Sequence, residues 1–577
     1  MKKVLLGLLA LAFLFIGVAC GNDNNDPATT DPGIERPLPL PGPEVTVDQL
    51  PADIQALIAQ WNLPEPRFTP DANVPGWQND QAHHAELTWY VNYIWWPTHT
   101  MGDSWVTYTM MGELNVRINF TSGNTEALNA MLAGGDLPDI ITLGGYNVGI
   151  VSDAHMFAFP LDVLATVYDP YFLSIFPEQT QNWMRLPDGH FYGIPNESMT
   201  SDEINAGFAM PGTGFFVRQD IYEGIGSPDM STPDGFLQAL RDAVEFMPTD
   251  DAGRPLVAFS GDMMNIMTND NGAFSGVIQD FLAIPTVNAD GTFFDRDAHP
   301  EYLEWLLVFR QAYEEGLITP DQFSDDNETV NNRFETGNFF ALMTSNTNDF
   351  ASRLNNISNN NPDQMMIPVS GPRNSAGDPH TFAAGGINGW THTFITQNTN
   401  DPQTAIQVLT YLYSDHGQML QQFGVEGETF EFVDGVPTLL PHIQEFLTDD
   451  YYGFRDEYGI RTFWMLRRPG FFASQGVLPT GPHGNVQLFN RQFNQARLNF
   501  VNLEPTLASN EMLQMNLEVI DLNRSQAIAN VLTASTDAEA IQIWENFLAS
   551  RDNFDWAGIT EYRNERLRIN NERLGIN

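Results

Sequence analysis

Lysine is nearly absent from this chain. Lys2 and Lys3 are the only lysines in 577 residues, and all the other members of the 26 basic residues are arginines. The body of the chain therefore cannot supply the lysine of a phosphate-binding P-loop, a Schiff-base lysine or a lysine general base. Arginine keeps its charge at high pH, where lysine loses it, so the bias fits a surface in alkaline or saline surroundings, or simple compositional drift.

Cysteine and the usual enzyme motifs are also missing. Cys20 is the only cysteine, so no internal disulfide forms, and a lipid on its thiol would leave neither a cysteine nucleophile nor a cysteine metal ligand. The GxSxG and HExxH motifs do not occur, and His83-His84 is read as a solvated loop. We expect a protein that is not an enzyme and has no cofactor, although abundant carboxylates leave a glycosidase pair open.

Basic residues are far fewer than acidic residues. The chain has 26 basic and 73 acidic residues, with a net charge of -47 at pH 7. Phosphate contacts dominate nucleic-acid affinity, so we expect no nucleic-acid partner. An acidic ligand would be repelled at long range unless arginines cluster locally, and a neutral or cationic small molecule fits best.

Only one long apolar run is present. Residues 4–19 follow Lys2-Lys3 and are shorter than the roughly 20 residues that a spanning helix needs. The run ends in Gly17-Val-Ala-Cys20, which looks like a lipobox, with Gly17 where such motifs prefer Leu. We expect a lipoprotein signal peptide at 1–19, lipidation of Cys20 that includes palmitate, and a disordered, proline-rich tether over 20–80. The alternative is an ordinary signal peptide with an incidental cysteine.

Residues 124–145 predict one α/β unit. Asn124 can cap a helix, Gly134-Gly135 can end it, and Ile140–Leu143 forms a short buried strand before Gly144-Gly145. Ligands of open α/β sheets bind beyond the carboxyl ends of strands, so the loop from Gly144, including Tyr146, is a candidate site. Other capped helices alternate with short strands, as at 232–244 and 339–343. This alternation predicts an α/β fold.

The run Leu132-Ala-Gly-Gly-Asp-Leu-Pro-Asp-Ile-Ile141 resembles the ASGDLPDI signature of family 1 extracellular solute-binding proteins, which feed carbohydrate ABC transporters. Residues 186–195 resemble the family's DGKxYGIP segment, with His190 where Lys is usual, and residues 411–417 resemble YLYSxEG. The motifs occur in the family's order between about residues 86 and 550.

The resemblance implies a two-lobe, periplasmic-binding-protein-like fold of type II, with mixed sheets flanked by helices and a hinge cleft between the lobes. It places the first lobe at 81–192 and 368–413, and the second lobe at 193–367 and 414–577. The chain would cross between lobes near Tyr192, Pro368 and Ser414.

The implied ligand is an oligosaccharide. Sugar recognition needs aromatic faces for the ring and planar polar groups for the hydroxyls, in a cleft between lobes. Each candidate has a structural alternative in the core, in a turn or in an ion pair. The predicted ligand-binding residues are Asn92, Trp95, Trp96, Asp139, Tyr146, Tyr192, Asn196, Arg218, Trp390 and Trp464. Trp89 and Trp544 are expected in cores, and Asp136 in a turn.

The resemblance also implies partners and a location. We expect a monomer outside the cytoplasm, held to the membrane through its N-terminal lipid alone, that delivers its ligand to ABC permease subunits. Some relatives bind calcium, but the matching loop, Pro248–Pro255, lacks the alternating oxygen ligands, so we expect no metal. A glycan-active anchored enzyme, or a binder of peptides or other solutes, remains the alternative.

Overall fold

The computed structural model describes residues 45–97, 99–145, 148–261, 274–382, 386–493 and 510–575. Across these ranges, we find no helix with the length and apolar character needed to cross a bilayer. Cys20 and Tyr146 lie outside the described residues.

The strands and helices alternate along the chain, as predicted for an α/β fold. The strands are β1 (Ala85–Val91), β2 (Val116–Ser122), β3 (Ile140–Gly144), β4 (Gly193–Pro195), β5 (Gly214–Arg218), β6 (Val257–Gly261), β7 (Phe339–Thr344), β8 (Met366–Pro368), β9 (Thr391–Ile395), β10 (Phe430–Val433) and β11 (Val436–Leu439).

The helices of the first half are α1 (Ala52–Trp61), α2 (Gly76–Asn79), α3 (Trp105–Leu114), α4 (Thr125–Gly134), α5 (Val148–Ser152), α6 (Leu161–Tyr168), α7 (Tyr171–Ile175), α8 (Glu178–Met184), α9 (Ser201–Asn205), α10 (Gln219–Gly224), α11 (Pro233–Phe246) and α12 (Gly276–Phe281). Those of the second half are α13 (Pro300–Glu314), α14 (Asn327–Glu335), α15 (Ala351–Asn360), α16 (Pro402–Tyr413), α17 (Asp415–Phe423), α18 (Pro441–Asp449), α19 (Tyr451–Tyr458), α20 (Pro469–Ser474), α21 (Gly481–Arg491), α22 (Glu511–Leu532), α23 (Asp537–Ser550) and α24 (Trp556–Leu574).

The first sheet has the strand order β2-β1-β3-β9-β4. Strand β1 runs parallel to β2 and β3, whereas β9 is antiparallel to both β3 and β4. Alternate residues of β1 face opposite sides, so Trp89 packs in one core with α6 and α16, while Tyr90 packs in another core with Leu128 of α4. The prediction that Trp89 is a core residue is confirmed, since its side chain has no exposed area.

The predicted unit at 124–145 is confirmed. Asn124 Oδ1 accepts the backbone N–H of Ala127 at 3.1 Å and caps α4. Gly135 ends the helix with φ +68°, a left-handed conformation that glycine adopts without strain. Strand β3 follows, and all of its residues are buried.

The second sheet has the order β6-β7-β5-β8, with β6 parallel to β7 and β5 antiparallel to its neighbours. Its strands are buried on both faces. One face packs against α11, α13, α22 and α23, in a core that includes Trp544, as predicted. The other face, which includes Phe216 and Leu342, packs against α14 and α15.

The two sheets and their helices form the two lobes, and the chain passes between them at three places in the described residues. It runs from β4 to β5 over 196–213, from β8 to β9 over 369–390, and from α20 to α21 over 475–480. Gly144 at the carboxyl end of β3 pairs with Thr391 at the start of β9, and β4 ends at the same edge. The first crossing therefore leaves the first sheet, and the second enters it, at the carboxyl edge of its parallel strands.

The structure corrects the predicted division of the chain in three places. Residues 45–80 are not a tether: Ile58 and Trp77 are buried against the first core, and Arg67 pairs with Asp80 and with Asp401 Oδ1 at 2.8 Å. His83 joins the same network, with Nε2 3.0 Å from Asp401 Oδ2, and is not simply solvated. These contacts form because apolar and charged side chains are interspersed with the prolines of this segment.

The other two corrections concern the lobe boundaries. Strand β4 was assigned to the second lobe, yet it pairs with β9 in the first sheet. Residues 414–466 were also assigned to the second lobe, yet Leu420, Ile443, Phe454 and Met465 pack in the first core. The third crossing is therefore at 475–480, after α20, and not near Ser414.

Candidate ligand-binding site

Four aromatic side chains from three separate segments meet at the first sheet. The ring centroids of Trp390 and Trp464 are 4.5 Å apart with planes 12° from parallel, and those of Trp95 and Trp464 are 5.6 Å apart at 24°. Tyr93 packs against all three, at centroid distances of 5.0 to 5.8 Å. We call Tyr93, Trp95, Trp390 and Trp464 the aromatic face.

The aromatic face lies at the edge where ligands bind in open α/β sheets. Tyr93 and Trp95 follow the carboxyl end of β1, and Trp390 immediately precedes β9. The backbone N–H of Gly145, just after β3, donates to the carbonyl oxygen of Trp390 at 2.7 Å. This is the edge of the first sheet from which the chain crosses to the second lobe, so the indoles lie beside the segments that join the two lobes.

Two of these indoles are largely in contact with solvent. Trp95 is 59% exposed and Trp390 is 41% exposed. Large aromatic side chains usually bury their area, and an exposed stack of them marks a binding surface more often than a scattered single residue does. The stack offers a flat apolar surface, and each of its indoles carries an N–H donor.

Asn196 positions Trp390. Its Oδ1 accepts the backbone N–H groups of Trp390 at 3.0 Å and Thr391 at 2.9 Å, and its own N–H donates to the carbonyl of Thr391 at 3.0 Å. Gly389, with φ +60°, allows the close approach, because a Cβ there would lie 2.0 Å from the carbonyl oxygen of Asn196. Asn196 is completely buried, so it supports the aromatic face from behind.

Asn92 fixes the start of the loop that carries Tyr93 and Trp95. Its N–H donates to the carbonyl of Thr142 at 2.9 Å, and its Oδ1 accepts the hydroxyl of Tyr90 at 2.9 Å. The side chain is 2% exposed. Its Nδ2 has no hydrogen-bond partner among the described residues.

The other predicted ligand-binding residues are not part of the aromatic face. Trp96 is 2% exposed, packs on Phe120 at 5.5 Å and donates Nε1 to the carbonyl of Thr462 at 3.4 Å, so it is a core residue. Asp139 lies at the opposite end of β3, where its Oδ2 accepts both the N–H and the hydroxyl of Thr88 at 2.7 Å.

Tyr192 and Arg218 also have structural partners. The hydroxyl of Tyr192 donates to Asp188 Oδ2 at 2.7 Å, and desolvation followed by this carboxylate raises the pKa of the phenol. Arg218, on β5 in the second sheet, is 1% exposed, pairs with Asp220 at 2.8 Å and donates to the carbonyl of Gly337.

Sequence reasoning therefore named three members of the aromatic face and missed Tyr93. The signal was present, since Tyr93 follows Asn92 in the same loop as Trp95. The prediction for Tyr146, two residues beyond Gly144, falls outside the described residues.

The residues of the loop at 248–255, where some relatives bind calcium and where we expect no metal, are engaged with protein groups. Asp250 pairs with Arg254 at 2.6 Å and accepts the N–H of Ala252 at 3.0 Å. Over the described part of the chain, no group of three or more His, Asp or Glu side chains is placed to hold a metal ion.

The chain matches the family model described as bacterial extracellular solute-binding protein over residues 112–419. Lipoprotein LipO of Bacillus subtilis (strain 168) is 24% identical over 326 residues, which are 55% of this chain and 62% of LipO. The matched stretch thus spans less than two thirds of that relative.

Solved structures of binding proteins share the fold. An extracellular solute-binding protein from Bifidobacterium longum subsp. infantis gives a TM-score of 0.65 at 13% identity, covering 85% of this chain and 99% of that one. An HMO-binding, ABC-transporter-associated solute-binding protein of the same subspecies gives 0.63 at 12% identity, over 84% and 99%. The alginate-binding protein AlgQ2 gives 0.59 at 16% identity, over 84% and 98%. With more than half of its length matched by the family model, the chain belongs to the bacterial extracellular solute-binding proteins.

Proposed function

We propose that this protein binds an oligosaccharide against the aromatic face and delivers it to the permease of an ABC importer. The single observation that carries the proposal is the indole stack of Trp95, Trp390 and Trp464 at the carboxyl edge of the first sheet, in which Trp95 and Trp390 are exposed. The C–H face of a pyranose ring packs on such a surface, while the sugar hydroxyls bond to polar groups at its rim.

The fold supports capture by closure. Two lobes joined by crossing segments can rotate about those segments and enclose a ligand between them. The second-lobe edge that holds Gly214 of β5 and Thr344 of β7 is reached directly by the first crossing, so it would approach the aromatic face on closure. Burying the sugar between lobes strengthens its hydrogen bonds by excluding water, without any bond being broken.

The membership in a family of binding proteins supports a role without catalysis, and the names of the similar proteins support a glycan ligand. One of those similar proteins is named as HMO-binding and another as alginate-binding. For this chain, oligosaccharide is the proposed class.

Two tryptophan variants test the proposal. Trp390→Ala and Trp464→Ala should each weaken binding of the best glycan in a thermal-shift and calorimetric screen by about 10-fold or more, about 1.4 kcal/mol, because each removes a stacking surface. Trp105→Ala is the matched control, since Trp105 is also 41% exposed and its ring stacks on Tyr458, which is not a member of the aromatic face. Its affinity should equal that of the unaltered protein.

Three results would contradict this function. If peptides stabilise the protein and no glycan does, the ligand class is wrong. If the same samples hydrolyse the glycan, the protein is an enzyme. If Trp105→Ala weakens binding as much as Trp390→Ala, the aromatic face is not the site.

We also propose that the mature protein is lipid-anchored through Cys20 outside the cytoplasm, which the name of the relative LipO supports. Mass spectrometry of the N-terminal peptide from membranes should show a diacylglycerol-modified Cys20 as the first residue. An N-terminal peptide that carries an unmodified Cys20 would contradict the anchor and leave the binding proposal intact.

A further inference from the structure

Arg461 is a charged side chain without a countercharge. It precedes Trp464 of the aromatic face by three residues, its side chain is exposed, and it makes no ion pair with any carboxylate of the described residues. Its backbone is fixed, because its N–H donates to the carbonyl of Gln421 at 2.7 Å and the following Thr462 and Phe463 are buried.

The lack of an ion pair at Arg461 is unusual in a chain with so many carboxylates. Acidic residues outnumber basic ones, 73 to 26, so most arginines can find a carboxylate. In the same region, Arg455 pairs with Asp456 at 2.8 Å and Arg468 pairs with Asp415 at 2.9 Å. Arg117, on the outward side of β2, is exposed without an ion pair in the described residues, and it serves below as a control.

The backbone of Arg461 is also held in an unfavourable conformation. Its φ is +65°, in the left-handed region that side chains with a Cβ disfavour and that Gly or Asn adopts more readily. Such outliers persist where the surrounding structure fixes them, and they cluster at ligand-binding positions. An Asn at this position would relieve strain, so the site can be tested with a substitution that the backbone tolerates.

A second guanidinium lies close by. Arg467 Nη1 pairs with Glu197 Oε1 at 3.0 Å, and the backbone N–H of Arg467 donates to the carbonyl of Trp464 at 3.1 Å. Glu197 directly follows Asn196, which holds Trp390 in place. The Nε of Arg467 is buried and has no partner among the described residues.

The two arginines and one glutamate leave a local excess of one positive charge next to the aromatic face. Desolvation lowers the pKa of Arg461, Tyr451 opposes this, and the positive charge of Arg467 adds to the lowering. The side chain of Arg461 is exposed, so a ligand group can reach it. A negative group that binds here would neutralise the excess and supply the missing acceptors.

We propose that the ligand is an acidic oligosaccharide, whose ring carboxylate binds the guanidinium groups of Arg461 and Arg467 while a sugar ring packs on the aromatic face. This inference rests on the proposed function and narrows its ligand class. The net charge of -47 opposes an acidic ligand only at long range, because salt screens charges beyond about 8 Å at physiological ionic strength. At contact distance, the pairs between the carboxylate and the two guanidinium groups dominate.

Carboxylated sugars and their methyl esters test this directly. The probes are uronic-acid tetrasaccharides (galacturonate, mannuronate and guluronate) and the methyl esters of the same compounds, which keep the ring shape and lose the charge. We expect the best acid to bind about 10-fold or more tightly than its ester, with an affinity that falls as salt is raised. Calorimetry on the full chain measures both.

The variants distinguish the loss of the Arg461 guanidinium from a loss of stability at the site. Arg461→Asn should lower the affinity for the acid by about 10-fold and change that for the ester less than about 2-fold, while Arg461→Lys should retain part of the preference. Arg117→Asn should change neither. A melting temperature of Arg461→Asn at or above that of the unaltered protein excludes unfolding as the cause, since Asn tolerates the left-handed backbone.

The experiments distinguish a failure of the acidic ligand class from a failure of the proposed function. If neutral oligosaccharides bind as tightly as acidic ones and Arg461→Asn affects both alike, the acidic class is wrong and the proposed function stands. If no glycan of either kind binds, both are wrong.

Discussion

Asp169 is a buried carboxyl whose ionisation should work against folding. It follows α6 and has no exposed area; its Oδ1 accepts the N–H of Gly76 at 2.9 Å, while its Oδ2 has no partner among the described residues. Burial raises the pKa of this carboxyl from 3.8 to about 7, and the Gly76 N–H and the Thr410 side chain oppose the rise only partly. Replacement by Asn keeps an acceptor for Gly76 and removes the charge.

The size of the effect on stability follows from the linkage between proton binding by Asp169 and folding. Below pH 3.8 the carboxyl is protonated in both the folded and the unfolded chain and costs nothing. Between pH 3.8 and about 7 only the folded chain binds the proton, so the stability of the unaltered protein falls as the pH rises through this window. Above it the full cost of about 4 kcal/mol remains, at about 1.4 kcal/mol for each pKa unit.

Urea unfolding of the first lobe, followed from pH 4 to pH 8, measures this. Asp169→Asn should match the unaltered protein near pH 4 and exceed its free energy of unfolding by about 4 kcal/mol at pH 8. Asp103→Asn is the control, because Asp103 is exposed, and its difference from the unaltered protein should not vary with pH in this way. A constant difference between Asp169→Asn and the unaltered protein across the range would refute the reasoning.

Three other predictions concern positioning and packing. Asn196→Ala should weaken glycan binding by about 10-fold, because the N–H groups of Trp390 and Thr391 lose their acceptor; calorimetry measures it, and unchanged affinity would contradict the positioning role. Gly389→Ala should weaken binding at least as much, since its Cβ would lie 2.0 Å from the carbonyl oxygen of Asn196; a melting curve shows whether the fold is retained. Trp544→Ala should cost about 3 to 5 kcal/mol in second-lobe unfolding by urea, because its side chain is 1% exposed in that core; a loss under 1 kcal/mol would show that the site collapses.

The sequence predicted local structure well where short-range physics decides it. The cap at Asn124, the left-handed Gly135 and the buried strand β3 all follow from residues within a few positions of one another. The two-lobe α/β class followed from the order of motifs and is confirmed by the two sheets.

Long-range packing limited the rest. Trp95 and Trp96 are adjacent and chemically identical, yet one is 59% exposed and the other 2% exposed, because the loop after β1 turns one indole towards Phe120. The amphipathic pattern of α17 shows that one side of it is buried but not which core receives it. For this reason residues 414–466 were placed in the wrong lobe.

The last helix makes a contact between the lobes in addition to the three segments that cross between them. Helix α24 begins in the core of the second lobe, where Ile559 is buried, and ends against α8 of the first lobe, where Gln179 Nε2 donates to the carbonyl of Leu574 at 2.8 Å. Any rotation of the lobes must either carry this contact along or break it. The balance between open and closed forms, and with it the apparent affinity for ligand, is thus adjustable from the end of α24 without a change in any residue of the aromatic face.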